Sequence, residues 1–296
     1  MSIPNLTKEQ VSNIVTNARD VELLDAGGQK QVFSCEIGGV PCVLKFIKCG
    51  EQFILADDGT QVDVVAERVR REITTLAQYN SPYLVKMGPE ALNVTTHGDD
   101  EILYYSELRI EGENLKTILT QQGPFDQPTL IKLAKQMGEA IDLLWQNRKI
   151  HRDIKPGNIM MKAHSGDFVL LDLGLVFDLD GDSLSISPVG TFKYVSPEQL
   201  DYDNRRVRLD FRSDLFSLGI VLYEMATGKH PFVLPATMNS FEVIGNIKNL
   251  DPIEPMVYNP AVNPELNNFI VRLLAKRPSL RYRTMDKYFE AAEKIS

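Results

Sequence analysis

Ile150-His151-Arg152-Asp153-Ile154-Lys155-Pro156-Gly157-Asn158-Ile159 places an aspartate, a lysine and an asparagine in one tight loop between apolar runs. Further on, Leu170-Leu171-Asp172-Leu173-Gly174 sets a second acid at the end of a short apolar strand. This group of side chains suits phosphoryl transfer. One carboxylate meets the nucleophilic hydroxyl, a lysine meets the moving phosphoryl group, and an amide oxygen plus a second carboxylate hold Mg²⁺ on the nucleotide phosphates. Either stretch alone also fits a solvated turn with chance acids. Together, in this order and at this separation, they point to a site.

His-Arg-Asp followed by Asn158 resembles the catalytic loop of protein kinases, and Asp172-Leu173-Gly174 resembles their metal-binding Asp-Phe-Gly. Leucine for phenylalanine keeps an apolar plug. Upstream, Cys42-Val43-Leu44-Lys45-Phe46-Ile47 alternates apolar residues around a lone lysine, as an interior strand would. It looks like the kinase strand whose lysine grips the nucleotide phosphates. The resemblance then requires a glutamate on the following helix. Val64 to Gln78 reads as that helix, with Val65, Val69, Ile73 and Leu76 at helical spacing. Glu72 sits where the family's glutamate sits; Glu67, one to two turns earlier, is the alternative.

Downstream, Gly190-Thr191-Phe192-Lys193-Tyr194-Val195-Ser196-Pro197-Glu198 resembles the segment that ends a kinase activation loop. Asp210-Phe211-Arg212-Ser213-Asp214-Leu215-Phe216-Ser217-Leu218-Gly219 resembles the start of the long buried helix of the large lobe. The resemblance implies that Asp214 holds the backbone of the catalytic loop. It also implies that Arg281, in Pro278-Ser279-Leu280-Arg281, pairs with Glu198. The likeness extends from about Val21 to Ile295.

The glycine loop departs from the family pattern. Asp25-Ala26-Gly27-Gly28-Gln29-Lys30-Gln31-Val32-Phe33 fits only if Asp25 and Lys30 replace the outer glycines. Gly27 and Gly28 remain, and glycine allows a backbone to approach phosphates closely. With Val32 they are the nucleotide-binding residues implied here. Leu103-Tyr104-Tyr105-Ser106-Glu107-Leu108 looks like the last strand of the small lobe. By position Ser106 is the gatekeeper, and Glu107 to Ile110 offer backbone groups to the adenine.

The implied fold is α+β and two-lobed: a small, mostly antiparallel β lobe and a larger, mainly helical one. We expect an N-terminal helical extension over residues 1–20, a small lobe over 21–106 and a large lobe over 107–296. The extension's helix starts at Thr7, with Glu9 and Gln10 in its first turn, and runs to about Ala18. In the large lobe, Asp126-Gln127-Pro128-Thr129 starts a helix whose Leu133, Met137, Ile141 and Leu144 form a core stripe. The stretch from Cys49 to Asp63 is longer than the family's usual connection and reads as surface elaboration around the Asp57-Asp58-Gly59-Thr60 turn.

Composition agrees with a globular protein. A chain of 296 residues can bury a sizeable core. Apolar residues make up 43%, and no stretch approaches a membrane span. No signal pattern opens the sequence, and it stops near where a kinase domain normally stops, so no anchor is expected after it. Cys35, Cys42 and Cys49 are odd in number and lie at strand-like positions, which suits a reduced cytoplasmic protein without a disulfide framework. A net charge of −8 argues against nucleic acid or anionic membrane as a partner.

The resemblance implies an ATP- and Mg²⁺-dependent serine/threonine protein kinase that phosphorylates protein substrates, itself included. Asp153, Lys155 and Asn158 are the implied catalytic residues. Asn158 and Asp172 hold Mg²⁺, and Lys45, kept in place by Glu72, holds the α- and β-phosphates. Two other readings stand beside it: a nucleotide-binding scaffold of the same fold without transfer, and a small-molecule phosphotransferase. The latter generally lacks the Ser-Pro-Glu segment and its arginine partner. Arg152 resembles the arginine that pairs with a phosphorylated activation loop, for which Ser183, Ser185 and Ser187 are the candidates; Thr191 is expected in substrate docking.

Overall fold

The computed structural model describes residues 4–27, 30–50, 53–55, 61–173, 177–178, 192–201, 209–235 and 239–295. The chain divides into two compact units, Met1–Ile110 and Glu111–Ser296.

The first unit opens with α1 (Lys8–Ile14). Thr7 caps it: its hydroxyl accepts from the Gln10 amide, and the Gln10 side chain accepts from the Thr7 amide. This reciprocal box satisfies two donors that a helix start leaves open. The helix is shorter than expected. It stops at Ile14, the Ala18 amide donates to the Val15 carbonyl, and Ala18 already begins a strand.

That strand is β1 (Ala18–Gly27), followed by β2 (Lys30–Ile37) and β3 (Val40–Lys48). Gly38 and Gly39, at φ 59° and 83°, make the turn between β2 and β3. A two-residue hairpin needs positive φ there, which glycine adopts without steric cost. A short hairpin, β4 (Phe53–Leu55) and β5 (Gln61–Asp63), leads into α2 (Val64–Gln78). Asp63 caps α2 by accepting from the Val65 and Ala66 amides. β6 (Asn93–His97) and β7 (Asp100–Leu108) complete a five-stranded antiparallel sheet in the order β1-β2-β3-β7-β6.

The two faces of this sheet differ because strand side chains alternate. Phe33, Cys35, Ile37, Cys42, Leu44, Phe46 and Ile102 bury one face against Leu6, Val11 and Val15 of the N-terminal segment. Gln31 fastens that segment: its Oε1 accepts from the Leu6 amide at 2.6 Å and its Nε2 donates to the Leu6 carbonyl at 3.4 Å. Residues 4–17 therefore belong to the core of the first unit rather than to a separate extension. The opposite face presents Val32, Lys45 and Tyr105, which are paired across three strands. Cys35 and Cys42 are direct cross-strand neighbours, both buried and free. Burial pushes the Cys35 thiol up to about 12 and the Cys49 thiol to about 11, so both are poor nucleophiles.

The chain leaves the first unit later than expected. The Leu108 amide donates to the Lys86 carbonyl and the Arg109 amide to the Pro41 carbonyl. These bonds keep residues through Arg109 on the sheet, so the division falls after Ile110 and not after residue 106.

The second unit begins with β8 (Gly112–Asn114), α3 (Leu115–Gln122) and α4 (Gln127–Gln146). Asp126 caps α4, and Leu133, Met137, Ile141 and Leu144 are buried along it, as their spacing predicts. β9 (Lys149–Ile150), β10 (Ile159–Lys162) and β11 (Phe168–Leu170) follow, then β12 (Phe177–Asp178). β8, β10 and β11 form one small sheet, and β9 pairs with β12. α5 (Pro197–Leu200) precedes the long α6 (Phe211–Thr227). α7 (Ser240–Asn249), α8 (Pro255–Tyr258), α9 (Pro264–Leu273) and α10 (Met285–Ala292) complete the unit. α6 is buried along most of its length, and at Gly219 a Cβ would come within 2.8 Å of the Leu273 Cβ on α9. Glycine is what allows these helices to pack so closely. Among the described residues, no helix is long and apolar enough to cross a membrane.

Candidate active site

Lys45 lies in the middle of β3, buried, on the sheet face opposite α1. Its Nζ donates to Glu72 Oε1 at 2.8 Å. Glu72 therefore occupies the position expected of the lysine's helix partner. Glu67 does not share it: it pairs with Arg71 one turn along α2, at 3.5 Å. Five residues apart on a helix, Glu67 and Glu72 project in different directions.

A second carboxylate meets the same ammonium. Lys45 Nζ donates to Glu107 Oε1 at 2.6 Å. The side chain of Glu107 was not foreseen in this role; only backbone groups were expected from it. The pairing of β3 with β7 explains the arrangement. Lys45 faces Tyr105 and Val43 faces Glu107, so Glu107 shares Lys45's face. Ser106 is paired with Leu44 on the other face. Its hydroxyl accepts from the Glu90 amide at 2.8 Å and donates to the Glu90 carbonyl. Ser106 thus points away from Lys45, and of the two residues it is Glu107 whose side chain reaches the lysine.

Val32 stands directly opposite Lys45 on β2. Gly27 ends β1, paired with Lys30, and a Cβ there would meet nothing within 4 Å. The protein itself therefore does not demand glycine at Gly27, which leaves open space beside its backbone. Gly28 lies outside the described residues. Asp25 folds back on its own strand, its Oδ1 accepting from the Ala26 amide.

In the second unit, Asp153, Lys155 and Asn158 converge within a few ångströms. Lys155 Nζ donates to Asp153 Oδ2 at 2.7 Å. Asn158 Nδ2 donates to the same oxygen at 2.8 Å and to the Asp153 carbonyl at 2.9 Å. Among the described residues both side-chain donors take Oδ2, which leaves Oδ1 to accept from a substrate. The turn from Pro156 to Asn158 closes through the Asn158 amide and the Lys155 carbonyl.

This loop is clamped from behind. Asp214, wholly buried on α6, accepts from the His151 amide at 2.7 Å and the Arg152 amide at 2.8 Å. Burial pushes its carboxyl above the usual aspartate range, an effect that His151, Arg152 and their amides oppose. Arg152 sits at φ 67°, a conformation costing a non-glycine residue on the order of 1–3 kcal/mol. The bonds to Asp214 help hold it there, as does the Gln199 Nε2 donation to the Arg152 carbonyl at 3.3 Å.

His151, to which the sequence reading assigned no role, links the loop to the second acid. Its Nδ1 accepts from the Asp153 amide, so the ring proton is on Nε2, which donates to the Leu171 carbonyl at 3.1 Å. The Leu171 amide in turn donates to the Asn158 carbonyl at 2.8 Å. Asp172 follows at once, also at positive φ, 58°. Asn158 and Asp172 are thus held by one hydrogen-bonded framework. Their side-chain oxygens are hard donors. Among the described residues no group of three or more His, Cys, Asp or Glu is assembled for a metal. Two such oxygens could serve as part of the ligand shell of a hard divalent cation.

Glu198 and Arg281 form the expected buried pair. Arg281 Nη1 and Nη2 donate to the two carboxylate oxygens at 2.6 and 3.0 Å, and Ser213 Oγ adds a bond at 2.8 Å. The segment before Glu198 is also anchored. Tyr194 donates to Glu224 at 2.8 Å, and Ser217 donates to the Tyr194 carbonyl at 2.7 Å. His230 Nε2 donates to the Lys193 carbonyl; burial draws the His230 ring down to about 4, so it is neutral at physiological pH. Ser183, Ser185, Ser187 and Thr191 lie outside the described residues, as do Asp57 to Thr60.

The comparisons with known proteins agree with this geometry. The family model described as "Protein kinase domain" matches residues 37–291. A protein of Clostridium perfringens named as a probable serine/threonine-protein kinase is 30% identical over 246 residues, 82% of this chain and 34% of its own. Serine/threonine-protein kinase PknB of Mycobacterium leprae is 33% identical over 221 residues, 73% of this chain and 34% of its own. A protein of Bifidobacterium longum named as a probable serine/threonine-protein kinase PknB is 30% identical over 243 residues, 79% of this chain and 34% of its own. The chain spans about a third of the length of the curated relatives it matches.

Proposed function

The chain belongs to the protein kinase family, whose members use ATP and a divalent metal, and from that premise we propose that it phosphorylates serine and threonine residues of protein substrates. The observation that supports this best is the Asp153 carboxylate, with Lys155 and Asn158 gathered on one oxygen. The acceptor hydroxyl would lie against the other oxygen. As its oxygen bonds to the γ-phosphorus and the bond to the β-phosphate oxygen breaks, Asp153 takes the proton. Lys155 offsets the charge on the transferring group. Lys45 holds the α- and β-phosphates. Asn158 and Asp172 hold Mg²⁺, which when bound neutralises charge developing on the phosphates. Lys155, two residues after the aspartate, and the names of the relatives both favour serine and threonine over tyrosine. Autophosphorylation within Ser183 to Ser187, read out by Arg152, belongs to the same proposal, as does a cytoplasmic setting.

The deciding experiment incubates the protein with labelled ATP and Mg²⁺, with protein and small-alcohol acceptors in parallel, and maps the labelled residues. Label on serine or threonine is expected. Nucleotide binding with no transfer would replace this reading with a scaffold, and label on the small alcohols alone with a small-molecule phosphotransferase.

The lysine's role has its own check. Lys45→Ala is expected to cut kcat/KM about 10²-fold, and Glu72→Ala about tenfold, since Glu72 only positions the lysine. The double variant should match Lys45→Ala, because the two act as one unit. Additive losses would show that Glu72 acts independently of Lys45.

A further inference from the structure

Lys45 is held by two buried carboxylates from different elements, and the second, Glu107, is the less yielding. Glu72 rides on α2. Glu107 is built into the sheet: it pairs with Val43 on β3 and bridges to Met87 on its other side. Its neighbours are tied as well, the Ser106 amide to the Glu90 carbonyl and the Leu108 amide to the Lys86 carbonyl. The backbone that carries this carboxylate cannot shift without breaking strand pairing, so only rotation of its own side chain can move it. It lies 2.6 Å from the ammonium, nearer than Glu72 at 2.8 Å. Among the contacts described, two carboxylates meet one ammonium on the face where, in the proposed function, the lysine receives phosphates.

We propose that Glu107 is a positioning residue for Lys45 and an electrostatic brake on nucleotide binding. It holds the lysine extended along the sheet face by a contact that does not depend on α2. In exchange it offsets the attraction of Lys45 for phosphates, which makes tight binding depend on a divalent cation. A negative charge several ångströms from the phosphates, in a poorly solvated setting, changes affinity on the order of tenfold. This inference rests on the role given to Lys45 above, and its test separates the two.

The test is equilibrium binding of ADP, with and without Mg²⁺, to wild type, Glu107→Gln and Lys45→Met. Glutamine keeps the shape and an oxygen that still accepts from Lys45, but removes the charge. Glu107→Gln is expected to bind metal-free ADP about tenfold more tightly. Its gain in affinity on adding Mg²⁺ should be smaller than that of wild type, because the cation no longer relieves as much repulsion. A merely structural glutamate would not alter that metal dependence. Should Glu107→Gln fail to fold by circular dichroism, Glu107→Met removes the same charge with an apolar chain of similar length, and the same result is expected. Metal-free ADP affinity within twofold of wild type, or weaker, overturns the proposal. If Lys45→Met also binds ADP as wild type does, the assignment of Lys45 to the phosphates falls too. If Lys45→Met weakens binding and Glu107→Gln leaves it unchanged, only the role of Glu107 is lost.

Discussion

Asp153→Asn is expected to lower phosphotransfer about 10³-fold while leaving the affinity for ATP within about twofold of wild type. The substitution preserves size and shape. An asparagine oxygen can still accept from Lys155 and from Asn158, which now meet Asp153 Oδ2 at 2.7 and 2.8 Å. The loop should therefore keep its form, held as it is by Asp214 through the His151 and Arg152 amides. What disappears is the group that accepts the hydroxyl proton. An amide oxygen can orient a hydroxyl but cannot take its proton at neutral pH. In the proposed mechanism nucleotide affinity depends on Lys45 and on the metal, neither of which this change touches directly. Asp172→Asn should behave differently and weaken metal-dependent nucleotide binding as well. The measurements are initial rates with labelled ATP and the dissociation constant of ATP with Mg²⁺. Retention of full activity in Asp153→Asn would show that the proton acceptor lies elsewhere.

The largest effect on stability is expected at Arg281, which is fully buried. Besides its two bonds to Glu198, it donates through Nε to the Ala275 carbonyl at 2.8 Å and through Nη1 to the Arg212 carbonyl at 2.7 Å. Its guanidinium also lies 4.7 Å from the centre of the Phe216 ring. Arg281→Ala leaves Glu198 charged and buried with, among the described residues, Ser213 as its remaining side-chain donor, and takes a donor from the Ala275, Arg212 and Lys276 carbonyls. Breaking a buried pair from one side costs about 3–5 kcal/mol. The pair itself contributes less than that figure, since desolvation of both charges opposes it. Glu198→Gln combined with Arg281→Met should accordingly recover part of the loss. Urea unfolding of the single and double variants measures both terms. A midpoint for Arg281→Ala equal to that of wild type would mean that the pair contributes nothing to the fold.

The residues of the catalytic loop were legible because their geometry is local. Asp153, Lys155 and Asn158 fall within one turn, and a turn's closure is decided by the few residues in it. Glu72 was legible from its place in the resemblance, with Glu67 left open beside it. The hydrogen bond from Lys45 decides between the two. The end of α1 was read too late: Val15 to Ala18 turn where the chain meets the sheet, and Asn17 is the residue type among them that can end a helix.

Sequence by itself determined the family, the two-lobed α+β fold and most of the side chains that could handle phosphate. Each of those rests on short-range pattern: periods of two and 3.6, caps, and motif spacing. Tertiary structure alone decided which of Ser106 and Glu107 faces Lys45. Side chains alternate strictly along β7, so one residue of register against β3 exchanges the two faces, and that register is set by pairing between strands some sixty positions apart. It likewise decided that His151 joins Asp153 to Leu171, and that the N-terminal residues close the far face of the sheet. Those contacts arise only when distant segments are packed together, and burial then fixes which partner each polar group must have.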